Sequence, residues 1–138
     1  MTYNGDVGRK KYIFERKMKH MKKQVKVVVV DDNEAVIRSV KDYFKDSEII
    51  SVIGGFTNGK DALNYLLQYP DQYDLLMLDL ILTQFDGIRI IEELKNHNIN
   101  KKIMVLSSFK DDFTIRRVQA LGASYFMLKP VDMEIVNS

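Results

Sequence analysis

From Val25 onward, short apolar runs alternate with amphipathic stretches, the signature of strands and helices taking turns along a parallel sheet. Five runs read as strands: Val25 to Val30, Ile49 to Phe56, Leu75 to Leu78, Ile103 to Leu106 and Ser124 to Leu128. Their near-continuous apolar character suits strands covered on both faces. Between them, Asn33 to Phe44 places Val36, Ile37, Val40, Tyr43 and Phe44 on one helical stripe, and Gly59 to Tyr69 does the same with Ala62, Leu63, Leu66 and Leu67. Ile88 to Asn96 and Asp112 to Leu121 complete the set, with Asp111 suited to cap the last helix and Gly122 to end it in a left-handed turn. The expectation is a doubly wound α/β domain. Right-handed crossovers then bring the carboxyl ends of all the strands to one edge, where chemistry is to be sought.

The first 24 residues look different. They lack apolar periodicity and carry Arg9-Lys10-Lys11 and Lys22-Lys23, so residues 1–24 are read as a basic extension, disordered or weakly helical, ahead of a domain over 25–138. This arm holds eight Lys/Arg and two Asp/Glu, net +6, leaving −4 on the remainder behind the overall +2. The pI of 8.7 therefore misrepresents the domain. A solvated arm is the plain reading; contact with nucleic acid or a membrane surface through charge alone is the functional one.

Apolar residues at 46% and charged residues at 29% over 138 positions describe one ordinary globular domain. No apolar run reaches the roughly 18–20 residues of a membrane span, and the charged start is unlike a secretory signal, so a cytoplasmic location is expected. Cysteine is absent, which excludes disulfides and thiolate chemistry, and His20 and His97 have no ligand-like spacing for zinc.

Four strands end in polar residues: Asp31 and Asp32 after the first, Asp79 after the third, Ser107 after the fourth, and Lys129-Pro130 after the fifth. Singly, each has an ordinary explanation, since an aspartate between strand and helix is often only a cap; Asp32-Asn33 fits that role. Together, three carboxylates in a partly desolvated cleft repel one another unless a cation neutralises them. Oxygen-only ligands select a hard ion, Mg²⁺ foremost, with Mn²⁺ a substitute. A carboxylate can itself be the nucleophile in phosphoryl transfer when metal and cationic groups neutralise the transferring oxygens, and Lys129 and the Ser107 hydroxyl suit that role.

These residues resemble the receiver domain of two-component response regulators. The resemblance rests on Val27-Val28-Val29-Val30-Asp31-Asp32-Asn33-Glu34, on Leu76-Met77-Leu78-Asp79 with Asp86-Gly87 downstream, on Ser107-Ser108, and on Gly122 to Pro130. Gly122 to Glu134 is most similar to the stage-zero sporulation regulators. The resemblance implies a flavodoxin-like sheet in the order 2-1-3-4-5, with Asp79 as phospho-acceptor. It makes Asp32, Asp79 and the backbone carbonyl of Ile81 ligands of Mg²⁺, with Asp31 acting through bound water. Lys129 would pair with phosphoryl oxygens, Ser107 would bind one of them after phosphorylation, and Phe126 would change rotamer as Ser107 moves. Pro130 would follow a cis peptide bond that aims Lys129, and Gly87 is carried over as a structural residue.

A signalling switch rather than an enzyme is implied, catalysing only its own phosphorylation and dephosphorylation. A histidine kinase or phosphotransferase protein would donate the phosphoryl group. DNA would be reached only through an effector domain outside this chain, and no membrane partner is expected.

Three departures stand out. Thr83 replaces the proline usual four residues after the acceptor, and Phe126 lacks a tyrosine hydroxyl. Only eight residues follow Pro130, so the fifth helix, begun at Asp132-Met133-Glu134, is expected to be truncated or absent. That would leave part of the sheet uncovered and invite a homodimer or segment exchange.

Rival readings fare less well. A dehalogenase-type aspartyl-phosphate hydrolase needs a general acid two residues after its nucleophile, where Ile81 stands. A flavin carrier needs a phosphate loop where Asp31-Asp32-Asn33-Glu34 would repel it. A degenerate receiver acting only as a protein-interaction module is the remaining alternative.

Overall fold

The computed structural model describes residues 2–79, 86–108, 111–129 and 135–136. Its elements in chain order are α1 (Thr2–Met21), β1 (Val25–Val30), α2 (Glu34–Tyr43), β2 (Ile50–Phe56), α3 (Gly59–Gln68), β3 (Leu75–Asp79), α4 (Asp86–Asn96), β4 (Lys102–Ser107), α5 (Asp112–Ala120), β5 (Tyr125–Leu128) and β6 (Ile135–Val136). A short 3₁₀ turn, Pro70–Gln72, leads into β3. The strands stand in the order β2-β1-β3-β4-β5-β6. The first five are parallel, in the expected 2-1-3-4-5 arrangement, and β6 runs antiparallel to β5.

Each expected strand and helix from Val25 to Gly122 is present, with ends moved by one or two residues. Local chemistry explains the ends. Asn33 caps α2, its side chain accepting from the Ala35 N–H at 2.9 Å, and Asn58 caps α3 through the Lys60 and Asp61 N–H groups. Gly122 takes φ +92° and its N–H donates to the Gln119 carbonyl, closing α5 as a left-handed residue does.

Two apolar cores flank the sheet. One gathers Val28, Val30, Leu76, Leu78 and Val105 of the strands with Ala62, Leu66, Ile90, Ile91 and Leu94 of α3 and α4. The other gathers Val27, Val29, Met77, Met104, Leu106 and Met127 under Ile37, Val40 and Phe44 of α2 and under Phe14 and Met18 of α1. Packing of α2 on β2 is close enough that a Cβ on Gly55 would stand 2.5 Å from Ile37 Cγ2. The register slips between Val27 and Val28, which sets Ile53 outside the pairing and 41% exposed, as a bulge does.

The basic segment takes the helical of the two forms expected for it, but it packs against the domain instead of standing as a solvated arm. It is helical from Thr2 to Met21, and Phe14 and Met18, one helical turn apart, are each 1% exposed. Phe14 meets Phe44 of α2 at 5.9 Å and Tyr125 of β5 edge-on at 5.6 Å between ring centroids. Lys11 lays its ammonium 5.2 Å from the Tyr43 ring, so its stem adds to the same seam. α1 thus lays Phe14 and Met18 on the sheet face that carries Met104, Leu106 and Met127. The expected start of a fifth helix, Asp132 to Glu134, lies outside the described residues; Ile135–Val136 beyond it pair with β5 as a strand. None of the described helices is long and apolar enough to cross a membrane.

Candidate functional site

Parallel pairing brings the predicted residues to one edge. Val30 is level with Leu78, so Asp31 follows β1 beside Asp79 at the end of β3; Asp79 is level with Leu106, so Ser107 stands one step beyond it on β4. Ser107 pairs in turn with Leu128, and the Lys129 N–H donates to the Ser107 carbonyl at 2.8 Å. Depth follows from position in the sheet: Asp31 is fully buried, Asp79 and Ser107 are each 2% exposed, and Asp32, one residue further into the turn, is exposed.

Carboxylate oxygens of Asp31, Asp32 and Asp79 lie within 4.8 Å of one another. Lys129 answers two of them, its Nζ 2.7 Å from Asp31 Oδ2 and 3.0 Å from Asp79 Oδ1. Asp31 Oδ1 accepts the Asn33 N–H at 2.9 Å, so the residue that caps α2 also orients the buried carboxylate. Asp31 Oδ2 accepts no directed hydrogen bond and relies on the Lys129 charge alone.

Burial is the main force on Asp31 and raises its pKa; the Lys129 and Asn33 contacts oppose the rise, and the neighbouring Asp79 charge adds to it. For Lys129, burial alone would lower the pKa, but its close contacts with the Asp31 and Asp79 carboxylates outweigh it and hold the ammonium above the ordinary lysine value.

The donor set fits a hard divalent cation. It is all oxygen, crowded, only partly neutralised, and includes one buried carboxylate oxygen with no hydrogen-bond donor. Asp31, Asp32, Asp79 and Lys129 thus come together as the sequence predicts, with Ser107 at the same edge. Phe126 is fully buried in the core under α3 and α4, level with Val105, and Gly87 is buried in the first turn of α4. Ile81, Thr83 and Pro130 lie outside the described residues. Two features escaped the sequence reading: the direct Lys129–Asp31 pair and the Asn33 N–H contact. An aspartate two residues before a capping asparagine was the available signal for the second.

Residues 27–137 match the family model of the response regulator receiver domain. The fold is similar to a chain in the complex of the P1 domain of CheA3 with CheY6 from R. sphaeroides, at TM-score 0.67 and 28% identity, covering 77% of this chain and 82% of that one. It is similar to the receiver domain of the Francisella response regulator 1452, at TM-score 0.64 and 26% identity over 78% and 85% of the two chains. The RcsB response regulator of Salmonella typhimurium shares the fold at TM-score 0.65 and 24% identity over 78% of this chain, which spans 52% of RcsB. The chain belongs to the response regulator receiver domain family.

Proposed function

We propose that Asp79 accepts a phosphoryl group from a phosphohistidine on a kinase or phosphotransferase partner, and that the chain acts as a signalling switch rather than as an enzyme on other substrates. An Asp79 carboxylate oxygen attacks phosphorus as the P–N bond breaks, and the released imidazole nitrogen takes a proton. The observation that carries this reading is the Lys129 ammonium 3.0 Å from Asp79 Oδ1, inside a cluster of three carboxylates. Fixed positive charge at the acceptor is what a transferring phosphoryl group needs. Asp32 and Asp79 are the residues suited to hold Mg²⁺, or Mn²⁺ in its place, with Asp31 behind them. Bound there, the ion would neutralise the carboxylates and the phosphoryl oxygens.

After transfer, the Ser107 hydroxyl would bind one phosphoryl oxygen and Lys129 would pair with another. Movement of Ser107 would be read at Phe126, two strand positions before Leu128, the residue paired with Ser107. The similar CheY6 chain was solved with the P1 domain of CheA3, which supports a phosphotransfer partner of that kind here. The likeness of Gly122 to Glu134 to stage-zero sporulation regulators supports a transcriptional output in a cytoplasmic setting, through a DNA-binding effector outside this chain.

The test is mass spectrometry after incubation with acetyl phosphate. One phosphoryl group should appear on the Asp79 peptide only with Mg²⁺ present and never in Asp79→Asn. Absence of an adduct where Mg²⁺ binding is demonstrated would leave the interaction-module reading standing instead.

A further inference from the structure

The outward face of α1 is left unused by the fold. With Phe14 and Met18 turned inward, the opposite side presents Arg9, Tyr12, Arg16 and Lys19, spaced three and four apart along one stripe, with Lys17 at its border and Lys23 just past the helix end; all are exposed. None of these five cations makes an ion pair among the described residues. Arg16 stands 5.9 Å from the ring of Tyr12, which is 60% exposed.

The charge continues past the end of α1. A cleft of about 450 Å³ at the amino edge of the sheet is lined by Met21, Lys22, Asp74, Asn100, Lys101, Lys102 and Ser124. Its one carboxylate is already engaged, Asp74 meeting Lys22 at 3.2 Å and the Lys26 N–H at 2.9 Å. Like charges gathered in this way cost stability unless an anionic partner answers them.

We infer that this stripe and cleft bind the phosphodiester backbone of a nucleic acid duplex, without sequence preference. A lipid surface would need a continuous apolar side on α1: Phe14 and Met18 are inside the domain core, and the exposed Tyr12, Ile13 and Met21 are scattered over different faces of the helix. From Arg9 to Lys19 the stripe runs roughly 15 Å along α1, with cations about one helical turn of 5.4 Å apart, so several can reach phosphates of a duplex that carries one charge per roughly 1.7 Å of its axis. The cleft lies at the edge of the sheet opposite Asp79, and the inference does not depend on phosphoryl transfer.

Fluorescence anisotropy of the whole chain with a labelled random-sequence duplex, titrated at several NaCl concentrations, tests this. Five phosphate contacts give a slope of about −4.5 in log K against log salt, several hundred-fold weaker binding between about 50 and 200 mM. The variant Arg16→Gln/Lys17→Gln/Lys19→Gln/Lys23→Gln, confined to exposed positions, should bind at least roughly tenfold more weakly with a slope shallower by about 0.9 per charge removed. Lys101→Gln/Lys102→Gln should shift binding in the same direction. Asp79→Asn should bind as the wild type does, so failure here and failure of the phosphoryl reading are separable. No binding at low salt, unchanged binding by both variants, or sedimentation with phosphatidylserine vesicles in place of duplex binding would each overturn the proposal.

Discussion

The Lys129 ammonium lies 2.7 Å from an oxygen of Asp31, a carboxylate that is fully buried. Lys129→Ala would leave that charge without its counter-ion and a second carboxylate, Asp79, beside it. A fully buried pair broken in this way costs about 3–5 kcal/mol; with the Lys129 side chain 18% exposed, a loss of about 2 kcal/mol at neutral pH is expected in urea unfolding. Added Mg²⁺ should restore part of it, because a cation answers the same charges. Stability unchanged by the substitution would mean that water already compensates Asp31.

Mg²⁺ should raise the thermal midpoint of the wild type, since an ion that binds the folded state at about 100 times its Kd adds about 2.7 kcal/mol. Asp32 is exposed, so Asp32→Asn should change the metal-free stability by no more than about 0.5 kcal/mol. Its Mg²⁺-induced shift should be much smaller. Equal shifts in the two proteins, read by differential scanning fluorimetry, would take Asp32 out of the ligand set.

Removing the Phe14 ring should destabilise the whole domain, although Phe14 sits in a segment whose charge suggests a solvated arm. Phe14→Ala opens a cavity against Phe44 and Tyr125, and such changes cost about 3–5 kcal/mol. Denaturant unfolding measures it. A loss below about 1 kcal/mol would mean that α1 contributes little to holding the sheet.

Tyr73 supplies a pH signature distant from the acidic cluster. Its hydroxyl donates to the Leu66 carbonyl at 2.9 Å, and burial, with the Tyr65 charge adding, pushes its pKa from 10.0 up to about 12. The fold thus favours the neutral phenol. Its contribution to stability is whole below pH 10 and falls as pH rises toward 12, by up to about 1.4 kcal/mol per unit. Tyr73→Phe should flatten the stability profile in that window while losing about 1 kcal/mol at neutral pH with the hydrogen bond. Identical alkaline profiles would rule Tyr73 out as their cause.

The five parallel strands were legible because strands covered on both faces keep unbroken apolar runs such as Val27 to Val30, which no amphipathic helix imitates. Asp31, Asp32, Asp79 and Lys129 were legible because each stands at a strand end, where topology alone brings them together. The docking of α1 was hidden because its buried seam is narrow. Phe14 and Met18 are separated by Glu15, Arg16 and Lys17, and the Lys11 stem that widens the seam counts as charge in any reading by residue type. The strand β6 is two residues long, below any period a sequence can show. Nor could spacing reveal that Lys129 would meet Asp31 directly, since that depends on how far its chain reaches across the sheet edge.

A cover helix that precedes the strands changes when the domain can close. During synthesis α1 emerges before every strand it will shelter, and Phe14 waits for Tyr125 until almost the whole domain has left the ribosome. The contact joins distant parts of the sequence, so its loop-closure entropy is large, and the α1 side of the sheet is expected to consolidate late in folding. Until then Phe14 and Met18 are held on a strongly basic helix, whose charge keeps their small apolar seam from pairing with other chains.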